Sequence, residues 1–376
     1  MTGSSGVFGL RQQQAPAAVL EPVLVETNDG ETTNISGYVY TTGYASAVAI
    51  SGDGRVIAIG AYYYDTVVYS NCGCVYIYDR SPVTNTLTLR STILVDVNTI
   101  QSNAHFGSAL SLSTDGDTVI VGSDYWRDGT YEGTANVYGW ISSTQEWVQK
   151  GQMLAGYEGQ GYAYSGVSIS GDGNRVAVGA LGGAGFVRIY DYNNVSGTWD
   201  LNAHITATDG IFEASFGTDV DLSVDGNQLM VCSVGYHSWR TFTYTGGTWV
   251  QDPQVVWSPD TEQDPDTGEY YYYTTIGEYY ACAGSVNGDL TIAAIGAMYY
   301  TDTLTRQGGV YLYYKNQNTN LWEVGTQVLM ADDPQTYAYY GRRVELCANE
   351  NLLLVGSTGW DGAYSNQGKF YLYELV

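Results

Sequence analysis

Polar and apolar residues alternate in short runs over most of this chain, and few windows carry a helical period. In "YASAVAIS" (Tyr44 to Ser51) small and polar side chains alternate with Val48 and Ile50, the two-residue period of a strand. The Ser-Gly-Asp-Gly that follows supplies glycines tolerant of positive φ and an aspartate able to bond its own backbone, so the chain reverses there. Val56 to Ile59 returns as a second strand. After a loop, "CVYIYD" (Cys74 to Asp79) sets Tyr76 and Tyr78 on one face of a third. In most copies a turn and a Trp-led or Leu-led segment then give a fourth, as in "EWVQKGQML" at Glu146, "TWDLNAHI" at Thr198 and "LWEVGTQVLM" at Leu321.

The unit recurs. "SGDGRVIAIGA" (Ser51 to Ala61) returns as "STDGDTVIVGS" (from Ser113), "SGDGNRVAVGA" (from Ser170) and "SVDGNQLMVCS" (from Ser223), then in worn form as "NGDLTIAAIGA" (from Asn287) and "CANENLLLVGS" (from Cys347). Four-strand units returning at a period of about 60 residues predict an all-β, six-bladed β-propeller of four-stranded antiparallel blades, with seven blades as the alternative. A β-sandwich or β-solenoid fits less well, since neither has a four-strand period of this length. The last copy stops at its third strand, "KFYLYELV", while the apolar "AAVLEPVLVE" (Ala17 to Glu26) precedes the first. Donated to the last blade, that segment closes the ring and removes two exposed sheet edges. The expected organisation is a flexible arm over residues 1–14 and one propeller domain over 15–376.

Charge narrows the partners. The chain has 39 acidic and 14 basic side chains, a formal charge of −25, and its lysines are Lys150, Lys315 and Lys369. Such a surface repels phosphate backbones and anionic membranes, which argues against nucleic acid as a partner. Charged residues amount to only 14%, beside 36 tyrosines and 47 glycines, so the surface is built largely of uncharged polar residues and tyrosine, as in extracellular or virion β proteins. No signal-peptide pattern and no long apolar span is seen, so direct membrane insertion is not expected. Five cysteines (Cys72, Cys74, Cys232, Cys282, Cys347) form no even framework, so disulfides are not expected to hold the fold.

The stretch "HFGSALSLSTDGDTVIVGSDYW" resembles the FG-GAP repeat of integrin α chains and of many bacterial and protist surface proteins. Its Phe-Gly pair stands at Phe106-Gly107 and Phe216-Gly217, with Tyr44-Ala45, Tyr280-Ala281 and Tyr340-Gly341 as variants and Ala163-Tyr164 aligned in the third copy. Its Gly-Ala-Pro appears as Gly60-Ala61, Gly179-Ala180 and Gly296-Ala297, or as Gly-Ser in two others, always without the proline. The resemblance covers about Tyr44 to Val376 and implies an integrin-like propeller. Seven-bladed members of the family hold calcium between strands one and two in a longer, acid-rich loop. Here that turn is short, with one acid in most copies (Asp53, Asp172 or Asp225), too few oxygens for a hard cation. The turn reads as a hairpin.

Candidate chemistry is sparse. His105, His204 and His237 lie in different repeats, and no nucleophile elbow, phosphate loop or His-Glu-x-x-His occurs. Cys72-Gly73-Cys74 lacks a second ligand pair and reads as two thiols at a strand edge. The insertion "SPDTEQDPDTGEYYYY" places Asp260, Glu262, Asp264 and Asp266 at alternate positions ahead of Glu269, reminiscent of a calcium loop, but Pro265 stands where a sharp-turn glycine belongs. A solvated acidic loop explains it better. No cofactor is expected, with calcium at this loop as the alternative.

Aromatic-acidic clusters after the second strand carry the functional expectation: Tyr63 and Asp65, Tyr125, Trp126 and Asp128, Tyr299, Tyr300 and Asp302, Trp360 and Asp361. Equivalent loops of a propeller share one face, so these residues are expected to form a ring suited to a glycan or protein ligand. The function expected is noncatalytic recognition, adhesion or structural support, extracellular or on a cell or virion surface. The alternative is a carbohydrate-active hydrolase or lyase using acids at the propeller axis.

Overall fold

A computed structural model describes residues 22–29, 32–35, 38–41, 43–66, 68–94, 102–127, 132–156, 162–181, 184–207, 215–259, 261–263, 270–272, 279–362 and 366–376. Six antiparallel sheets form the blades of a β-propeller. From the axis outward, blade 1 is Tyr44–Ile50, Val56–Ala61, Cys74–Arg80 and Leu87–Leu94, and blade 2 is Phe106–Leu112, Thr118–Arg127 and Glu132–Ile141, edged by Glu146–Gln149 and Leu154–Ala155. Blade 3 is Tyr162–Ile169, Arg175–Ala180, Phe186–Asn193 and Thr198–Ile205; blade 4 is Phe216–Leu222, Gln228–Ser233, Ser238–Thr245 and Thr248–Trp257. Blade 5 is Tyr280–Val286, Ile292–Ala297, Gly309–Lys315 and Trp322–Leu329; blade 6 is Tyr340–Leu346, Leu352–Ser357 and Lys369–Leu375.

The ring closes with the other end of the chain. Pro22–Asp29 lies antiparallel to Lys369–Leu375, Pro22 opposite Leu375 and Asp29 opposite Lys369, as the outer strand of blade 6. The donated strand thus runs somewhat later than the Ala17 to Glu26 segment read from the sequence; residues 1–14 and 17–21 lie outside the described residues. One register correction concerns blade 3. Tyr162 sits opposite Ala180, the place that Phe106, Phe216, Tyr280 and Tyr340 take opposite Ser123, Ser233, Ala297 and Ser357. The aromatic of the third copy is therefore Tyr162, not Ala163-Tyr164. An extra residue before Val167 sets Tyr162 one place further from the rest of its strand than in the other blades.

The repeated motifs mark where blades touch. A Cβ built on Gly60, Gly179 or Gly296 would stand 2.0, 2.0 or 1.9 Å from the carbonyl oxygen of Gly107, Gly217 or Gly341 in the next blade. Likewise Gly73, Gly185 and Gly308, which lead into third strands, bridge in parallel to Phe106, Phe216 and Tyr340. Both elements of the repeat are thus glycine because the next blade's backbone occupies the space of a side chain. Between these seams the core is aliphatic and aromatic, with Ile57, Ile59, Tyr44 and Phe370, for example, joining blades 1 and 6.

The turns between strands one and two form a second ring. Ser51 Oγ donates to Asp53 Oδ1 at 2.7 Å and accepts the Val56 N–H at 2.9 Å, and the same pattern recurs at Ser113/Asp115, Ser170/Asp172 and Ser223/Asp225. Neighbouring turns are then joined by backbone bonds: Asp53 N–H to Thr114 O, Thr114 N–H to Gly171 O, Gly171 N–H to Val224 O, Gly288 N–H to Ala348 O and Asn349 N–H to Gly52 O, at 2.8–3.0 Å. The acids of these turns are occupied in shaping the turn itself.

The seam makes a prediction. Gly179→Ala forces a methyl into the Gly217 carbonyl and should cost about 3 kcal/mol or more. Gly139, whose added Cβ would meet nothing within 4 Å, is the control. Gly139→Ala should be neutral or slightly stabilising. Denaturant titration of both variants checks this; equal midpoints would contradict it.

Candidate functional site

The inner strands bring a charged cluster to the axis. Aligned in register, their sixth positions are Ala49, Ser111, Ser168, Asp221, Ser285 and Glu345, and their fourth are Ala47, Ala109, Gly166, Asp219, Ala283 and Arg343. Blades 4 and 6 alone contribute charge. Asp221 Oδ2 accepts the Val286 N–H (2.8 Å) and Ser285 Oγ–H (2.9 Å), while its Oδ1 accepts Ser168 Oγ–H (3.1 Å). Asp219 accepts the Gly284 N–H at 3.0 Å. Arg343 donates to the Ser108 carbonyl of blade 2 at 3.3 Å, across the ring.

Burial dominates the acid chemistry here. It pushes Asp219 up to about 7, against the pull of Arg343 and the Gly284 N–H, and Asp221 up to about 6, against its hydrogen-bond donors. Glu345 is raised well above the carboxylate range by burial and by the charges of Asp221 and Asp219. Asp221 and Glu345 line a cavity of about 30 Å³ near the turn face, and Asp219, Arg343 and Glu345 line another of about 10 Å³. These hold a water or two, not a sugar ring.

The opposite face, where blade links and second-to-third-strand loops emerge, carries the aromatic residues. Tyr64, Tyr300 and Trp360 are equivalent: each carbonyl accepts the N–H of the glycine that opens the third strand, Gly73, Gly308 or Gly368, at 3.0–3.1 Å. These rings turn inward. Tyr300 packs edge-on to Tyr311, and Trp360, 8% exposed, donates its indole N–H to Asp333 (3.2 Å) beneath the Lys369 ammonium. The preceding residue, Tyr63 or Tyr299, belongs to a turn closed by the Tyr64 or Tyr300 N–H on the Ala61 or Ala297 carbonyl at 3.0 Å; Tyr63 is 41% exposed. Trp360 and Tyr300 are therefore packing residues, a correction to the expected ring of exposed aromatics.

The acids divide likewise. Asp65 accepts the Asn71 N–H and Asp361 the Asn366 N–H, both at 2.6 Å, so each shapes its own loop. Asp302 is exposed. Asp128 and the side chains of Tyr125 and Trp126 lie outside the described residues, as do Asp260, Asp264, Asp266 and Glu269. Glu262 belongs to a short ribbon, Thr261–Gln263 paired with Tyr270–Tyr272. Among the described residues no group of His, Cys, Asp and Glu is arranged to hold a metal ion. Cys72 and Cys74 are buried on either side of a seam glycine, and burial raises the Cys72 thiol.

Around Tyr299 the structure assembles Arg306 and tyrosines of the links that enter blades 5 and 6, "EYYYYTTIGEYY" and "QTYAYY". Tyr279 and Tyr339 lie 4.6 and 5.6 Å from the Tyr299 ring, Tyr337 lies 6.4 Å from Tyr339, and the Arg306 guanidinium sits 4.3 Å from the Tyr299 centroid. Tyr279 and Tyr337 are 44% and 48% exposed. Across the face, Tyr62 and Tyr63 meet the His105 ring, whose Nδ1 lies 2.9 Å from Asp124. Burial raises the Tyr62 phenol against the opposing charge of Arg342. Tyr279, Tyr337, Tyr339 and His105 stand just before inner strands, so their signal was position relative to the repeat frame.

No protein-family model matches the chain, and no curated protein is significantly similar to it in sequence. Solved structures do share its architecture. A Bacteroides uniformis protein, provisionally assigned as a 6-phosphogluconolactonase, is 11% identical with a TM-score of 0.51, over 84% of this chain and 78% of that one. A functionally unknown protein of Desulfotomaculum acetoxidans is 11% identical with a TM-score of 0.50, over 83% and 78%. The periplasmic gluconolactonase of Pseudomonas aeruginosa is 15% identical with a TM-score of 0.49, over 83% and 81%. At such identities the likeness is one of fold.

The axial acids give a pH signature. Their pKa values are raised in the folded state, so it binds more protons than the unfolded chain, and their contribution to stability is lost as pH rises from about 4 through about 7. Asp172 and Asp225 act oppositely: burial opposes it, but turn hydrogen bonds hold them low, and their contribution fades only in stronger acid. Stability, read from denaturant titrations, should therefore be higher at pH 5 than at pH 8, by roughly 1.4 kcal/mol for each unit of an acid's shift that lies above pH 5. Asp219→Asn should flatten the slope. A wild-type profile flat over that range would refute the assignment.

Proposed function

We propose that this protein is a noncatalytic recognition module of FG-GAP kind that engages a glycan or protein partner through the tyrosines of its loop face, in an extracellular, cell-surface or virion setting. The observation that carries the reading is the Tyr279–Tyr299–Tyr339–Tyr337 cluster with Arg306 stacked on it. Exposed tyrosines present large, rigid, amphipathic area at small entropic cost, and a guanidinium beside them adds hydrogen-bond donors. The tightly bonded turn face offers no comparable group of rings among the described residues.

A second reading, hydrolysis at the axis, draws support from Asp221 and Glu345 beside a cavity. A carboxyl near 6 suits proton transfer at neutral pH, and the Bacteroides uniformis protein has a similar fold. Its weakness is space: hydrolytic carboxylates must flank a substrate, whereas these flank room for water.

One comparison separates the readings. Binding on a glycan array and to candidate protein partners should fall at least tenfold in Tyr279→Ala/Tyr337→Ala, with little change in melting temperature because both residues are nearly half exposed and lie outside the blade cores. Asp221→Asn should bind normally. Normal binding by the tyrosine double variant, together with hydrolysis of a sugar lactone or glycoside that Asp221→Asn abolishes, would favour the axis instead.

A further inference from the structure

Outer strands of neighbouring blades are joined at two junctions by a side-chain amide. Gln152 of blade 2 accepts the Trp199 N–H at 2.8 Å and donates to the Trp199 carbonyl at 2.8 Å. Gln254 of blade 4 does the same to Trp322, at 2.8 and 3.1 Å. Each glutamine thereby acts as one residue of a β-ladder, matching the N–H and C=O that a strand edge presents on one side.

Blade 3 departs from this pattern. Leu154, Ile205 and Val256 take the same register opposite Ala135, Val187 and Trp239 of their third strands. Two residues earlier stand Gln152, Ala203 and Gln254, so blade 3 carries alanine where its neighbours carry the clasping amide. The tryptophan it faces is equivalent to the clasped ones: Trp249 pairs with Tyr244 next to its hairpin, as Trp199 pairs with Tyr192. Its backbone edge therefore points at blade 3 in the same way. Trp249 itself reaches blade 3 through its indole, Nε1 to Asn202 Oδ1 at 3.3 Å.

Where the amide is missing there is a groove of about 370 Å³, walled by Ala203, His204, Thr206, Phe242, Thr248 and Trp249 among others. None of its lining residues is Asp, Glu, Lys or Arg, on a chain with a formal charge of −25. His204 stacks on Phe186 at 4.7 Å, and partial burial together with the Arg188 charge favours its neutral form. We propose that this groove binds an uncharged primary carboxamide, the group of asparagine and glutamine side chains, in the place left by Ala203. The carboxamide oxygen accepts the Trp249 N–H, and its NH₂ donates to the Trp249 carbonyl. A carboxylate has no donor for that carbonyl, and a trans secondary amide points its donor and acceptor in opposite directions.

Protein labelled with ¹⁵N at tryptophan gives nine backbone signals to follow. Propionamide should move the Trp249 amide signal saturably, while propionate and N-methylpropionamide should bind at least tenfold more weakly. Acetyl-Gly-Gln-Gly-N-methylamide binding more tightly than propionamide would place the carboxamide on a peptide partner; equal affinities would point to a free small amide. Ala203→Gln should shift the Trp249 amide signal as an occupied clasp does and abolish the response. An equal response to propionate, no saturable response to either amide probe, or an undiminished response in folded Ala203→Gln would overturn the proposal. The wild-type titration decides even if that variant does not fold.

Discussion

The inner strands of blades 3 to 6 each turn a backbone N–H towards the preceding blade, and at the axis there is no room for a strand to pair with it. The solution is a side-chain acceptor one blade upstream. Ser111 Oγ takes the Ile169 N–H, Ser168 Oγ the Leu222 N–H, Asp221 Oδ2 the Val286 N–H and Ser285 Oγ the Leu346 N–H, at 2.8–3.3 Å. A buried N–H left unmatched costs on the order of 1–3 kcal/mol, so a polar residue at the sixth place of most inner strands is a requirement of the ring. With this bond fixed, blades come close enough for Gly60, Gly179 and Gly296 to meet backbone, and the turn-to-turn bonds fall into place beyond it.

That constraint separates a tightly bonded structural set of residues from freer parts of the molecule. The axis is too full, and the turns too tightly bonded to one another, to leave more than water-sized space. The links entering each inner strand are freer to vary. They carry Tyr279, Tyr337 and Tyr339, while the outer rim varies by whether a glutamine bridges adjacent blades. Asp221 belongs to the structural set first: the hydrogen bonds that hold the carboxyl also hold blades 3, 4 and 5 together.

Much of this was legible in the sequence, for a physical reason. Four-strand periodicity and Ser-x-Asp-Gly turns are imposed by local geometry and led to six blades, and the unpaired "AAVLEPVLVE" segment led to closure by Ala17 to Glu26, where the structure has Pro22–Asp29. The site was less legible. Trp360 and Tyr300 were expected in an exposed ring because equivalent loops share one face, but the third-strand glycine fixes the backbone there and those rings pack inward. Asp219, Asp221, Arg343 and Glu345 come together only once six strands are superposed in register, and the aromatic of blade 3 was displaced by one inserted residue.

If the acceptor-to-next-strand bonds are what make the ring one unit, the blades cannot open singly. Native-state hydrogen exchange under rising denaturant tests this at the Ile169, Leu222, Val286 and Leu346 amides, which lie in four different blades. All four should exchange through one global opening, with a common free energy and a common denaturant slope. Separate, smaller opening energies for individual blades would contradict it.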